Sequence, residues 1–290
     1  MEHTHMTNLS SAPRIWAHRG ARSAAPENTM AAARAALEQG AFGWELDVHI
    51  TLDGEIIVTH DHGLRRVTDI ALRPDMPVRT SHVVDRLTLA QIRELDAGSW
   101  FARRDPFGTV ASGEVGPERL APYTDEKIPT LAEALDWTSE SGLHVNVEIK
   151  DMLGGDDDGL VREVVRLIRA SGIERRVLVS SFRQKSLELF RELCPEVPVG
   201  LLLDEKAMAA STQDIVARLQ CLGAVALHPS IKGLFPGRIA AFREAGFEVN
   251  VYTVNREEDM LRLAREGAAG IITDFPARAR TVLEAFKQEE

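Results

Sequence analysis

The stretch GLHVNVEIKDMLGGDDDGLVREVVRLIRASGIERRVLVSSFRQKSLELFRELCPEVPVGLLL, residues 142–203, decides the fold. Three short apolar runs, His144–Ile149, Arg176–Ser181 and Val199–Leu203, alternate with longer segments of helical period. Those segments are Leu160–Ala170, closed by Ser171 and Gly172, and Gln184–Leu193. Short runs rich in Val, Leu and Ile suit strands buried on both faces, and longer runs with apolar residues three and four apart suit amphipathic helices. Strands that alternate with helices lie parallel in one sheet.

The rhythm continues in both directions. Downstream, Gly223–Leu227, Glu248–Val254 and Gly270–Thr273 read as strands, and Thr212–Leu219, Gly237–Ala245, Glu257–Glu266 and Ala277–Lys287 as helices. Upstream, Arg14–Ala17 and Phe42–Ile50 read as strands. Between them an Ala-rich helix, Met30–Gln39, is entered through Pro26-Glu27-Asn28-Thr29 and stopped by Gly40. Thr130–Glu140 supplies the helix before His144. Eight such units predict a closed (β/α)8 TIM barrel. The turn at Asp53-Gly54 predicts a hairpin between Val48–Leu52 and Glu55–His60. From about 65 to 127 the chain is polar, with one helical stretch at Leu89–Leu95, and reads as an insertion after the second strand. No second core of adequate size follows it, so residues 14–290 are expected to form a single catalytic domain behind a loose tail, 1–13. The run Gly154–Gly159 lacks the spaced ligands of a calcium loop and reads as a solvated loop and helix start.

A net charge of -10 disfavours nucleic acid and anionic membrane surfaces as partners. It also means that a small anionic substrate would need local cations or a bound metal. Cys194 and Cys221 form no framework of disulfides. The N-terminus has no basic segment leading into an apolar one, and no apolar run approaches the length of a membrane span, so a cytoplasmic protein is expected.

In such barrels the chemistry lies at the carboxyl ends of the strands. There the sequence places His18-Arg19, Glu45 and Asp47, His60-Asp61 after the hairpin, Glu148 and Lys150, Ser180-Ser181, His228, Tyr252 with Asn255, and Asp274. Glu45 and Asp47 are two apart and share a strand face, as do Glu148 and Lys150. Three carboxylates at one mouth need a cation between them, and oxygen donors without thiolate suit Mg²⁺ or Ca²⁺. His18 and His60 suit a base and an acid flanking a phosphorus centre, and Arg19 and Lys150 suit its oxygens.

These residues resemble the glycerophosphodiester phosphodiesterases. The resemblance is carried by His18-Arg19-Gly20, Pro26-Glu27-Asn28-Thr29, Glu45-Leu46-Asp47-Val48, Asp53-Gly54, His60-Asp61, Ile128-Pro129-Thr130-Leu131, Val147-Glu148-Ile149-Lys150, Tyr252-Thr253-Val254-Asn255 and Thr273-Asp274-Phe275-Pro276. It implies a barrel with an insertion after the second strand and one divalent cation held by Glu45, Asp47 and Glu148. It implies His18 and His60 as general base and acid. It also implies hydrolysis to sn-glycerol 3-phosphate and an alcohol, the neighbouring glycerol hydroxyl attacking first and water opening the cyclic phosphate. Many relatives carry Trp where this chain has Tyr252.

Plainer readings stand beside these. His49 is expected to be structural, and His62, His82 and His144 receive no role. His228 and Tyr252 are candidates to line the pocket. Asp274 is expected either to cap the last helix or to touch ligand, Asp61 either to orient a neighbour or to cap a turn, and Lys150 can simply pair with Glu148. Trp100, Phe101 and Phe107 in the insertion offer an apolar lip, which would favour a lysophospholipase D or phospholipase-type phosphodiesterase acting on a lipid substrate. A non-catalytic phosphate-binding barrel is disfavoured because both histidines and the Glu-x-Asp pair are present.

Overall fold

The computed structural model describes residues 12–73, 82–152 and 156–289. Most of the expected tail and the first part of the acidic run at 154–159 lie outside them. The strands are β1 (Arg14–Ala17), β2 (Gly43–Ile50), β3 (Ile56–Val58), β4 (His144–Ile149), β5 (Val177–Ser181), β6 (Val199–Leu203), β7 (Ala226–Pro229), β8 (Glu248–Val251) and β9 (Gly270–Thr273). All but β3 run parallel, in the order β1-β9-β8-β7-β6-β5-β4-β2, and β1 also pairs with β2, which closes the eight into a barrel. The short β3 is antiparallel to β2, with Val58 opposite Val48, and forms the expected hairpin.

Alternation along each strand sorts side chains between lumen and helical layer. On β2, Trp44, Leu46 and Val48 join the main core under the helices, and the Trp44 indole donates to Thr138 Oγ1 at 2.9 Å. On β4, Val145, Val147 and Ile149 do the same. Full burial of each such side chain stabilises by roughly 1.5–3 kcal/mol, so a one-residue slip, which would turn them into the lumen, is strongly disfavoured. The opposite positions are thereby committed to face inward: Glu45 and Asp47 on β2, Asn146 and Glu148 on β4. At the foot of the lumen Trp16 lies across the sheet. A Cβ on Gly43 would sit 2.7 Å from its ring and one on Gly270 3.1 Å from it, so both glycines make room for the indole.

Two strand boundaries differ from expectation by three residues. The helix expected to stop at Leu219 runs Thr212–Leu222 and is ended by Gly223 in the left-handed region, φ 61°, so β7 begins at Ala226 and reaches Pro229. β8 stops at Val251 because Tyr252 leaves the ladder with β9 and bridges to Ser230.

The insertion is more ordered than its polar composition suggests. It holds short helices at Leu89–Arg93, Trp100–Arg104 and Pro117–Leu120, preceded by 3-10 turns at Leu64–Arg66, Ile70–Leu72 and Val84–Arg86 and followed by one at Ala121–Tyr123. Ile57, Leu64, Ile70, Val84, Leu87, Ile92, Leu95, Ala97 and Ile128 form a separate small apolar cluster. Trp100 and Phe101 are buried in the main core, so they are no apolar lip, and Phe107 packs edge-on against Phe275. The segment is fastened to the loop between β1 and the first helix: Thr109 Oγ1 donates to Ser23 O at 2.7 Å and Tyr123 Oη to Ala24 O at 3.0 Å.

Candidate active site

Glu45, Asp47 and Glu148 meet at the carboxyl end of the barrel. They are buried, and each offers an oxygen within 4.8 Å of the others. Among the described residues this is the group of His, Cys, Asp and Glu side chains with the spacing of a metal site. Glu45 Oε1 and Asp47 Oδ1 are buried and accept no hydrogen bond from the described residues, although Lys150 Nζ lies 3.4 Å from the latter. Buried carboxylate oxygens are normally satisfied, so orphaned oxygens facing one another fit a hard divalent cation. Burial and the charges of Asp47 and Glu148 push the Glu45 carboxyl well above its usual range. Burial also raises Glu148, against the pull of Lys150. Burial opposes the charge on Asp47 too, but Arg19 and Lys150 outweigh it and hold that carboxyl well below its ordinary range.

His18 follows β1 and lines one small cavity with Glu45, Asn146, Glu148, Leu202, Tyr252 and Ile272. Its Nδ1 is 2.7 Å from Asp274 Oδ1. Asp274 is itself held: Arg22 donates to Oδ1 at 3.2 Å and Asn255 Nδ2 to Oδ2 at 2.7 Å, while Asn255 Oδ1 accepts from the Asp274 N–H at 3.0 Å. Asp274 therefore orients His18 rather than capping the last helix, whose Ala277 N–H is taken by Gln39 instead. An imidazole bonded to a carboxylate through Nδ1 carries its proton there and turns Nε2 outward. Burial and the neighbouring Arg19 lower the pKa of His18 in spite of Asp274, which favours the neutral ring.

His60 has the same local arrangement from different parts. Its Nδ1 is 2.7 Å from Asp61 Oδ1, and Arg66 Nε donates to Asp61 Oδ2 at 2.6 Å. The N–H of Thr59, the residue before it, donates to the Asp47 carbonyl at 2.9 Å, so the chain reaches His60 beside the strand that carries Asp47. His49, on β2, hydrogen-bonds through Nε2 to the His60 carbonyl at 3.1 Å, and burial pushes its pKa down to about 4, in keeping with a structural residue.

Arg19 has a left-handed backbone, φ 56°. Its N–H donates to Glu45 Oε2 at 2.9 Å, its Nη1 to Glu27 Oε1 at 2.9 Å, and its Nε lies 3.3 Å from Asp47 Oδ2. Gly20 follows at φ 79°, with its Cα against Ala32 so closely that a Cβ would lie 2.6 Å from the helix backbone. The turn that presents His18 and Arg19 thus depends on a residue without a side chain. Lys150 donates to Glu148 Oε1 at 2.6 Å, the simple pairing among the expected readings, and its ammonium lies 6.0 Å from the Phe182 ring centre. Tyr252 lines the cavity, donates to Leu203 O at 3.1 Å and meets Phe182 edge-on. His228 sits in the lumen against Asn250, 3.1 Å away, and burial pushes its pKa down to about 3.

Four residues at this site went unassigned from the sequence. Asn28, also left-handed at φ 57°, donates from Nδ2 to Asp47 Oδ2 at 2.8 Å. Arg22, Arg66 and Glu27 form the ion pairs behind the two histidines. Asn28 and Glu27 stand in the turn read as helix-entry chemistry, which was the available signal; nothing local marks Arg66.

The sequence profile of the glycerophosphoryl diester phosphodiesterase family matches residues 18–278. A glycerophosphodiester phosphodiesterase of Caldanaerobacter subterraneus is 32% identical over 262 residues, covering 90% of this chain and 94% of that protein. One of Bacillus subtilis is 33% identical over 275 residues, covering 93% and 86%. The solved structure of an Oleispira antarctica phosphodiesterase, in complex with the product sn-glycerol-3-phosphate, superposes with a TM-score of 0.78 at 27% identity, over 94% of this chain and 97% of that one. With this barrel, this mouth and this match along nearly its whole length, the chain belongs to the glycerophosphoryl diester phosphodiesterase family.

Proposed function

We propose that the protein hydrolyses glycerophosphodiesters to sn-glycerol 3-phosphate and an alcohol, with His18 as base, His60 as acid and one divalent cation, Mg²⁺ or Ca²⁺, held by Glu45, Asp47 and Glu148. The observation that carries this reading is the meeting of two carboxylate-oriented imidazoles with three facing carboxylates at one end of the barrel. The cation would neutralise charge on the phosphoryl oxygens.

Neutral His18, with its proton on the Asp274 side, can accept a proton at Nε2 from the attacking hydroxyl. That hydroxyl is the one on the neighbouring glycerol carbon, whose oxygen forms the new P–O bond of a cyclic diester. His60, steadied by Asp61, serves as the acid and gives a proton from Nε2 to the departing alcohol oxygen as its P–O bond breaks. In the second half water attacks the cyclic phosphate, the proton movements reverse, and the net reaction consumes one water. Arg19 and Lys150 supply positive charge at the mouth for the phosphoryl oxygens.

Residues 14–290 are read as one catalytic unit, since the main core gathers side chains from Ile15 to Phe286. A cytoplasmic setting is supported by the free Cys194 and Cys221, and among the described residues no helix is long and apolar enough to cross a membrane. The buried Trp100 and Phe101 weigh against the lipid-directed alternative.

A coupled assay for glycerol 3-phosphate, run on glycerophosphocholine and glycerophosphoethanolamine with and without EDTA, tests the reading. Release that EDTA abolishes and Mg²⁺ or Ca²⁺ restores is the expected result. No release from either diester with either ion would overturn it.

A further inference from the structure

Behind the mouth, one carboxylate gathers three guanidiniums. Glu27 is almost wholly buried, with its side chain 2% exposed. Its Oε1 accepts from Arg19 Nη1 at 2.9 Å and from Arg66 Nη2 at 2.7 Å; its Oε2 accepts from Arg22 Nη2 and Arg66 Nη1, each at 3.0 Å. Each arginine then reaches forward to a different carboxylate. Arg19 approaches Asp47, Arg22 holds Asp274 behind His18, and Arg66 holds Asp61 behind His60.

We propose that Glu27 is a positioning residue that ties the two imidazole–carboxylate pairs and the cation-facing Asp47 into one rigid unit. The proposal rests on the reading of His18 and His60 as base and acid. Signs alternate along every branch: Glu27, arginine, carboxylate, and then imidazole or cation. Buried charges need such pairing, and Arg66 engages Glu27 through a two-bond fork that fixes the plane of its guanidinium. Without the Glu27 charge, three converging guanidiniums would repel and turn away, and the outer carboxylates would follow them. Burial opposes the charge on Glu27, but the Arg66 hydrogen bonds and the charges of Arg19 and Arg22 outweigh it. The geometry also gives the insertion a task. Arg66 belongs to the 3-10 turn at its start, and Arg104 Nη1, farther along it, donates to the Arg66 carbonyl at 2.5 Å. Docking of the insertion and orientation of His60 are therefore one event.

Two readouts on Glu27→Gln decide the matter. Ring ¹⁵N spectra of the full-length protein report which imidazole nitrogen carries the proton. The substitution is expected to shift the His18 and His60 signals together, and Arg66→Lys, which keeps the charge but loses the fork, to shift His60 alone. Unchanged ring signals in Glu27→Gln would overturn the proposal. These spectra need no turnover, so failure of the diesterase reading is told apart from failure of the tether. In kinetics, Glu27→Gln should lower kcat on glycerophosphocholine about 10–100-fold with little change in KM. A p-nitrophenyl diester of glycerol phosphate, whose leaving group departs without a proton, should be affected less. Equal losses on both substrates, the mark of a merely structural residue, would contradict it. If Glu27→Gln does not fold, Arg66→Lys carries the same two tests, with an unshifted His60 signal as the contrary result.

Discussion

The two histidine arms are built alike at the imidazole and differently behind it. In both, Nδ1 lies 2.7 Å from an aspartate oxygen and an arginine holds that aspartate. His18 and Asp274 are separated by 256 positions, brought together by closure of β1 against β9, and their side chains are 13% and 5% exposed. His60 and Asp61 are adjacent, and both are 32% exposed. One arm is a product of the barrel; the other is a local motif pinned by the insertion. The buried arm suits a ring kept neutral to accept a proton, and the open arm suits a ring that exchanges protons with solvent and leaving group. Equal distances at the imidazole thus conceal unequal dependence on the fold.

The strongest challenge to the shared role of the arms is removal of either ring. His18→Ala and His60→Ala are each expected to lower kcat by about 10²–10⁴-fold with the fold retained, measured on glycerophosphocholine with circular dichroism as the control. A variant that keeps most of the activity would remove its arm from the chemistry. The difference between the arms sharpens with the aspartates. Both Asp274→Asn and Asp61→Asn should slow turnover by roughly 10–100-fold, but their stabilities should part. Asp274 sits in a buried set of charge-assisted hydrogen bonds, so its change is expected to cost about 2 kcal/mol. Asp61 is a third exposed, so its change should cost less than about 1 kcal/mol. Urea unfolding midpoints check this, and equal losses would mean the arms are equally dependent on the fold.

A smaller effect is expected from acid. Glu27, Asp61 and Asp274 are all held below the ordinary carboxylate range. Burial opposes the charge on Glu27 and Asp274, but the arginines and the His18 bond prevail; for Asp61 the hydrogen bond from His60 leads. Such groups are more readily ionised folded than unfolded. Their stabilisation is fully present above the ordinary carboxylate values near about 4 and is lost as pH falls through the lowered folded values. Thermal unfolding should therefore be flat from neutral pH down to about pH 5 in its dependence on these groups and fall below about pH 4. A midpoint still unchanged well below that would contradict the assigned ion pairs.

The same contrast shows what the sequence could and could not disclose. Glu45, Asp47 and Glu148 were legible because strand alternation fixes their face, and His60 because a hairpin turn returns it to the strand end. The barrel was legible because strand and helix periods repeat. Asp274 was visible as a polar residue at a strand end, but its task was not, since its partners Arg22, Asn255 and His18 lie on other units. Arg66 stood in a polar segment without a periodic signal, and the small apolar cluster that orders that segment is assembled from isolated side chains between 57 and 128. Glu27 looked like turn chemistry because its meaning arises only where its own loop, with Arg19 and Arg22, meets Arg66 of the insertion. His228, a candidate for the pocket, lies in the lumen against Asn250, where strand parity alone could not separate depth from mouth.

Anomalous diffraction from crystals soaked in Mn²⁺ would locate the cation. One strong peak is expected, bound by oxygens of Glu45, Asp47 and Glu148 at about 2.0–2.6 Å, with His18 and His60 turning their Nε2 atoms toward the space beside it. A peak held elsewhere, or none between these three carboxylates, would contradict this arrangement.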